Sequence, residues 1–436
     1  NNGINLWMKG KHLEGTLKRG VFTVKQLKIN EERLLNRINE LGEVGRNDDG
    51  QLIRLALTDE DKEGRDLLVS WFEELELKVE IDGFGNIFAT WEEDHNKGQK
   101  PLMIGSHIDS VIDAGKYDGS YGVLSGLETV QTLKENNINT IRPVTIAAFT
   151  NEEGVRFPPS MLGSLVYSGD LNLGKALDTM SIDGLRLGDE LERIGYAGKN
   201  KPGFIEPEAY IELHIEQGPV LDKEGLEIGA VHNLQGNSRR EIIFTGEANH
   251  AGSTPNYLRK DPMQAVTHFM STLYNYINKN GLDTVATLGS IQLEPNAATI
   301  IPSKATFTLD MRSPTEKGFH EAQELVRDTL KEIEAAGKIG VQATEFAIFE
   351  PVVFDKTIVE NIVAAAGELK LSSKLMTSGA GHDAQMINRI APSAMIFVPS
   401  KDGVSHNPLE YSSPEQLVNG ANVLLLTAER LLDTNK

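Results

Sequence analysis

The segment Gly105-Ser106-His107-Ile108-Asp109-Ser110, closely followed by Gly115-Lys116-Tyr117-Asp118-Gly119, gathers an imidazole, carboxylates and glycines within a few turns of chain. The apolar run Leu102-Met103-Ile104 leads into it. This reads as a strand ending in a glycine-rich loop, the place where open α/β sheets put their chemistry. On an extended backbone, side chains two residues apart share a face. His107 could therefore ligate a metal while Asp109 supports the ring. Asp118, between Tyr117 and Gly119, is free to bend in as an oxygen ligand. The alternative is a surface turn rich in Gly and Asp.

Three further segments have the same character. The apolar run Val144–Phe149 ends in Thr150-Asn151-Glu152-Glu153-Gly154, where one carboxylate could ligate while the other faces a substrate. The run Ala209–Pro219 alternates like a strand, with Tyr210, Glu212, His214 and Glu216 on one side. Polar groups on an otherwise buried strand need partners, because burying them unpaired is costly. Of ten histidines, five lie in Gly- or acid-flanked segments: His107, His214, His250, His382 and His406. Three such histidines with Asp118 and Glu153 would make five N/O ligands, enough for two divalent ions sharing one carboxylate.

Composition narrows the chemistry. The chain has no cysteine, so any metal must be held by His and carboxylate. A net charge of −20 argues against nucleic acid and anionic membrane as partners. No apolar run is long enough to span a bilayer, and the expected location is cytoplasmic. Residues 1–24 lack an apolar core and a small-residue cleavage site. They are set apart as a leader or disordered arm rather than a secretory signal.

The elements that must position these groups follow from periodicity. At 436 residues the chain is too long for one compact core. Over residues 25–225 strands alternate with amphipathic helices. The helix expected from Thr58 to Leu77, for example, puts Leu68, Trp71, Phe72 and Leu75 on one face. The stretch after Gly154, through Lys201, reads as polar and irregular. The alternation predicts a mostly parallel sheet covered by helices, forming the first part of a catalytic domain. Residues 226–350 follow a βαββαβ order, a ferredoxin-like α+β unit inserted into that domain. The α/β pattern resumes over 351–436, where Asp355 caps a helix and Ser413-Pro414 opens the last one as N-cap and N1.

Taken together, GSHIDS, YDG, TNEEGVRF, HIEQGP, GEANHAGSTP, DMR, SGAGHDA and SHNPLE resemble the hydantoinase/carbamoylase branch of the M20 metallopeptidase family. They run in family order from about residue 30 to the end. The resemblance implies a metal-bearing α/β domain split by a lid that also makes a homodimer. It implies two divalent ions (Zn, Mn, Co or Ni) held by His107, Asp118, Glu153, His214 and His406, with Asp118 bridging. Glu152 would be the general base acting on a water shared by the ions, and Asp109 would orient His107. His250 would stabilise the oxyanion, in the partner subunit's site. Arg312 would grip a substrate carboxylate, and Gln217 and His382 would touch the amide or ureido group. Two substrate-reading positions depart from the family pattern: Asn237 stands where Gln is common and Thr299 where Asn is common. Pro255-Asn256 likewise replaces the usual Pro-Met. The implied activity is hydrolysis of linear amides, foremost an N-carbamoyl-L-amino acid or allantoate. An aminoacylase or dipeptidase of the wider family and a non-catalytic metal-binding dimeric scaffold are the alternatives.

Overall fold

The computed structural model describes residues 26–280 and 283–433. The leader assigned to residues 1–24 lies outside the described residues. Two sheets dominate. The larger has nine strands. Its path runs Val352–Val353, Ile228–Leu234, Ser393–Val398, Ala209–Ile215, Leu102–His107, Val144–Phe149, Ile87–Trp91 and Lys78–Ile81. Ser373–Ser378 also pairs with Ile228–Leu234, in parallel.

The expectation of a mostly parallel sheet is corrected to a mixed one. The four central strands are mutually parallel. The flanks, 78–81 and 87–91 on one side and 228–234 and 352–353 on the other, join antiparallel. The parallel centre is fully buried, as both-face coverage requires, and its strands are near-continuous apolar runs. Helices Glu31–Glu43, Ser120–Glu135, Lys356–Glu368 and Pro414–Leu431 pack on one another and, the first excepted, on strands of this sheet. The last helix opens with the expected Ser413 cap and Pro414, completed by Gln416 as a capping box. The stretch read as irregular holds three short helices, Leu162–Ser168, Leu173–Leu177 and Leu187–Arg193. No described helix is long and apolar enough to cross a membrane.

The inserted unit has the βαββαβ order expected. Its four antiparallel strands lie in the order Val285–Glu294, Lys304–Ser313, Gly236–Thr245, Gly340–Phe349. Helices Pro262–Asn280 and Glu316–Ala335 pack on this sheet. Alternation gives it a core of its own, with Ile242, Phe244, Phe269, Phe307 and Leu309 inward. Asn237, Arg239, Asp310 and Arg312 lie on the alternate positions of the same strands.

The unit begins later than expected. Ile228–Leu234 belongs to the large sheet, so the insertion starts at Gly236 and not at residue 226. Only Gln235 separates the two strands, and no turn residues mark the crossing. A side chain at Gly236 would come within 2.5 Å of Pro351. Entry and exit therefore run against each other, and only glycine allows it.

Candidate active site

The chemistry-bearing residues stand at the carboxyl ends of the parallel strands, where sheet geometry opens a crevice. His107 ends one strand, Glu152 and Glu153 follow the next, His214 lies near the end of a third and His406 follows the fourth. Asp118 precedes the Ser120–Glu135 helix and sits among the histidines. Its Oδ1 lies 3.1 Å from His214 Nε2 and 3.5 Å from His107 Nε2. Its Oδ2 lies 3.1 Å from His406 Nε2, which is also 3.4 Å from Glu153 Oε2.

Among the described residues four three-residue donor groups result; beside Glu212–His214–His382 and His107–Glu152–Glu153, the five expected ligands form two, His107–Asp118–His214 and Asp118–Glu153–His406. These two share Asp118, and within each the donor atoms lie within 4.8 Å of one another. Backbone carbonyls set the rings. His107 Nδ1 is 3.0 Å from Asp109 O and His214 Nδ1 is 2.8 Å from Ile215 O, which leaves both Nε2 atoms facing inward. No lysine or arginine among the described residues pairs with Asp118, Glu152 or Glu153. The donor set thus fits two hard or borderline divalent cations, which would supply the missing positive charge.

Burial without cations explains the electrostatics. Burial raises Glu152 well above the usual carboxylate range, and Glu153 beside it adds to the rise. Burial and Asp118 push Glu153 up to about 8. Burial opposes the charge on Asp118 too, but hydrogen bonds from His107, His214 and His406 outweigh it and hold Asp118 well below that range. The Asp118 hydrogen bond raises His406 to about 9. His382 goes the other way: burial and His214 keep it neutral, far below the usual imidazole range.

Asp109 meets the His107 ring, but through its carbonyl and not the expected carboxylate. The carboxylate is 3.8 Å from the ring. The two carboxylate oxygens instead accept from the backbone N–H groups of Glu152 and Glu153, each at 3.2 Å. Asp109 therefore fixes the acidic turn as much as the imidazole.

A cavity of about 530 Å³ opens over the cluster, lined by His107, Asp118, Glu152, Glu153 and His406. Gln217, Asn237, Arg312 and His382 line it as well. Gln217 Nε2 donates to Asp118 Oδ2 at 2.7 Å, so Gln217 holds the shared carboxylate in place of standing clear for a ligand. Asn237 Oδ1 and His382 Nε2 are buried with no protein partner. His250 and Thr299 are not brought there. His250 pairs with Ile300 in a two-stranded ladder, and Thr299 O accepts from Ala251 N. Both are exposed and lie together on the inserted unit, away from this chain's cavity.

Reasoning from sequence missed two residues. Glu410 is buried; its Oε1 accepts from the N–H of Tyr117 and Asp118, and its Oε2 from Ser405 Oγ. It ties the loop bearing Asp118 to the loop bearing His406. Arg239 lines the cavity beside Arg312. The signal for Glu410 was its place in the SHNPLE motif, in which only His406 is given a role; for Arg239 it was the period-two position shared with Asn237.

Comparisons with known proteins give the family of the chain. Residues 103–430 match Peptidase family M20/M25/M40. An N-carbamoyl-L-amino-acid amidohydrolase of Rhizobium meliloti is 37% identical, over 91% of this chain and 95% of its own length. A ureidoglycolate hydrolase of Oryza sativa subsp. japonica is 34% identical, over 92% of this chain and 85% of its own. The crystal structure of a hydantoinase/carbamoylase family amidase from Burkholderia multivorans superposes with a TM-score of 0.84 at 38% identity, covering 92% of this chain and 98% of that one. The chain belongs to peptidase family M20/M25/M40, in its hydantoinase/carbamoylase branch, and is a hydrolase.

Proposed function

We propose that the protein hydrolyses the C–N bond of linear ureido acids, N-carbamoyl-L-amino acids or allantoate, to an amine, carbon dioxide and ammonia. The observation that carries this reading is one cavity holding two donor groups joined by Asp118, the carboxylate of Glu152 and the guanidinium of Arg312. The named activities of the Rhizobium meliloti and Oryza sativa relatives support it, since both point to ureido acids.

Two divalent ions held by His107, Asp118, Glu153, His214 and His406 would supply Lewis acidity and lower the pKa of water. The chain's own groups do the rest. Glu152 lies 3.7 Å from His107 Nε2 and carries no hydrogen bond of its own from the described side chains. It accepts a proton from water and returns it to the departing nitrogen. Asp109 holds Glu152 and Glu153 by their amides, so the base cannot drift from the donor groups. Arg312 fits a carboxylate with its planar fork. His382, neutral and unpartnered at Nε2, can exchange a hydrogen bond with the ureido group. The inserted unit acts as a lid over these groups and as the contact between two copies. His250, away from this chain's cavity, then serves the other copy's substrate.

Protein reconstituted with Mn²⁺, Co²⁺ or Zn²⁺ should release ammonia from a panel of N-carbamoyl-L-amino acids, allantoate and ureidoglycolate. Chelation should abolish this. Glu152→Gln should keep its ions while turnover falls roughly a hundredfold or more. A fully active Glu152→Gln rules out that base, and an inert wild type toward the whole panel rules out the ureido reading.

A further inference from the structure

The open face of the inserted sheet carries a second guanidinium that the reading above does not use. Arg239 is opposite Asp310 in the antiparallel ladder, and Arg312 is opposite Asn237. Asp310 divides its oxygens between the two cations: Oδ2 accepts from Arg239 Nε at 3.1 Å and Oδ1 from Arg312 Nε at 3.1 Å. Both arginines are thus held to Asp310 through Nε, the inner nitrogen. Arg312 also gives one terminal N–H to Gly379 O at 3.0 Å and the other, at 3.5 Å, to Asp310 Oδ2, so each of its terminal nitrogens keeps one N–H free. Neither terminal nitrogen of Arg239 has a hydrogen-bond partner among the described residues.

One carboxylate between two guanidiniums leaves positive charge uncompensated. That charge faces the cavity over the donor groups, which both arginines line. The same two side chains also line an adjoining hollow of about 590 Å³ along the open sheet face, with Thr287, Thr308, Asp310 and Phe346. The pair therefore stands where a substrate's side chain would leave the reaction centre. A guanidinium with its outer edge free grips a carboxylate through two parallel hydrogen bonds.

We propose that Arg239 is a second anion-binding arm, and that the preferred substrates are N-carbamoyl derivatives of acidic amino acids. Arg312 takes the α-carboxylate and Arg239 the side-chain carboxylate. The proposal rests on the ureido-hydrolase reading and deepens it to a substrate class.

The test compares near-isosteric pairs on the ion-loaded full chain: N-carbamoyl-L-glutamate against N-carbamoyl-L-glutamine, and N-carbamoyl-L-aspartate against N-carbamoyl-L-asparagine. Wild type should favour the acid of each pair by roughly tenfold or more in kcat/KM, the scale of a charge-assisted hydrogen bond. Arg239→Gln should remove most of that preference through KM, and Arg239→Lys should restore part of it. A wild type without preference overturns the proposal. So does an Arg239→Gln that slows acid and amide equally, because Arg239 would then only prop Asp310. If no ureido compound turns over, calorimetry with glutarate against glutaramate still decides: equal affinities, or affinities indifferent to Arg239→Gln, sink the arm independently of the reaction.

Discussion

Ion binding at the Asp118–Glu153–His406 group should expel protons, and the structure fixes how many. Burial and the Asp118 charge put Glu153 at about 8. The Asp118 hydrogen bond puts His406 at about 9. Asp118 itself is already ionised. Near pH 7, Glu153 and His406 are then both mostly protonated, and both protons must leave before the donors can ligate. An ion entering this group should release roughly two protons. Its affinity should rise about a hundredfold per pH unit below pH 8, about tenfold per unit between pH 8 and 9, and level off above that. Calorimetric titration of Mn²⁺ or Zn²⁺ into metal-stripped protein measures this, using buffers of different ionisation heat. The double variant Glu153→Gln/His406→Gln removes both proton carriers, so total release should fall by roughly two relative to wild type. Equal release from wild type and double variant, or an affinity indifferent to pH across this range, would show that the cluster is not protonated in the way its burial dictates.

Three further outcomes follow from the same geometry. Gly119, at φ +64° and ψ −54°, lies outside the left-handed helical region, and a side chain there would land on the His107 imidazole. Gly119→Ala should cost about 1–3 kcal/mol in backbone strain and lower the bound-metal content, read by elemental analysis beside a melting curve; a full complement of ions would contradict it. Phe307 packs against Phe244 at 5.4 Å and Phe269 at 5.9 Å between ring centres in the inserted unit's own core. Phe307→Ala should cost about 3–5 kcal/mol, with amide protection lost over residues 236–349 and kept in the large sheet; loss spread evenly over both would refute separate cores. The metal-free protein should melt lower as pH rises from about 6 to about 9. Glu153 and Asp383, both at about 8, and Glu410 at about 7, are carboxyls raised by burial, so the folded state holds protons that the unfolded chain has already lost. His406, raised to about 9, contributes stability that is present below its ordinary value and is lost through the same rise. Saturating Mn²⁺ should reverse the trend, and a metal-free melting point that climbs with pH would refute it.

Much of this was legible where a local signal had one dominant physical reading. Val144–Phe149 is too short and too uniformly apolar to be anything but a buried strand, and it forms with the expected bounds. Asp355 and Ser413 cap helices because their side chains meet orphan N–H groups, as their spacing implied. Strand direction was not legible, since a buried strand reads alike whether its neighbour is parallel or antiparallel; hence the mixed flanks. The late start of the insertion was hidden because Ile228–Leu234 runs into Gly236–Thr245 with no turn signal between them. At the site, the family resemblance named His107, Asp118, Glu153, His214 and His406, whereas the spacing of the residues alone left open which three histidines join the two carboxylates. Neither could tell that Asp109 would use its carbonyl for the ring and its carboxylate for the neighbouring amides. Period-two alternation does set Arg239 on the face of Asn237 and Arg240 on the other, but only the strand pairing shows Arg240 reaching Gln323 and Arg239 reaching Asp310.

The abutment of Gly236 on Pro351 has a consequence for how the molecule could be taken apart. The segment between them leaves and rejoins the large sheet at nearly one point, so a short turn could splice residue 235 to residue 351 without stretching either side. The shortened chain would keep every histidine and carboxylate of the two donor groups and would lose Asn237, Arg239 and Arg312 in one cut. On the reading proposed above, capture of the ions and choice of the organic anion would fall to separable stretches of polypeptide, so that the second could be exchanged while the first is left intact.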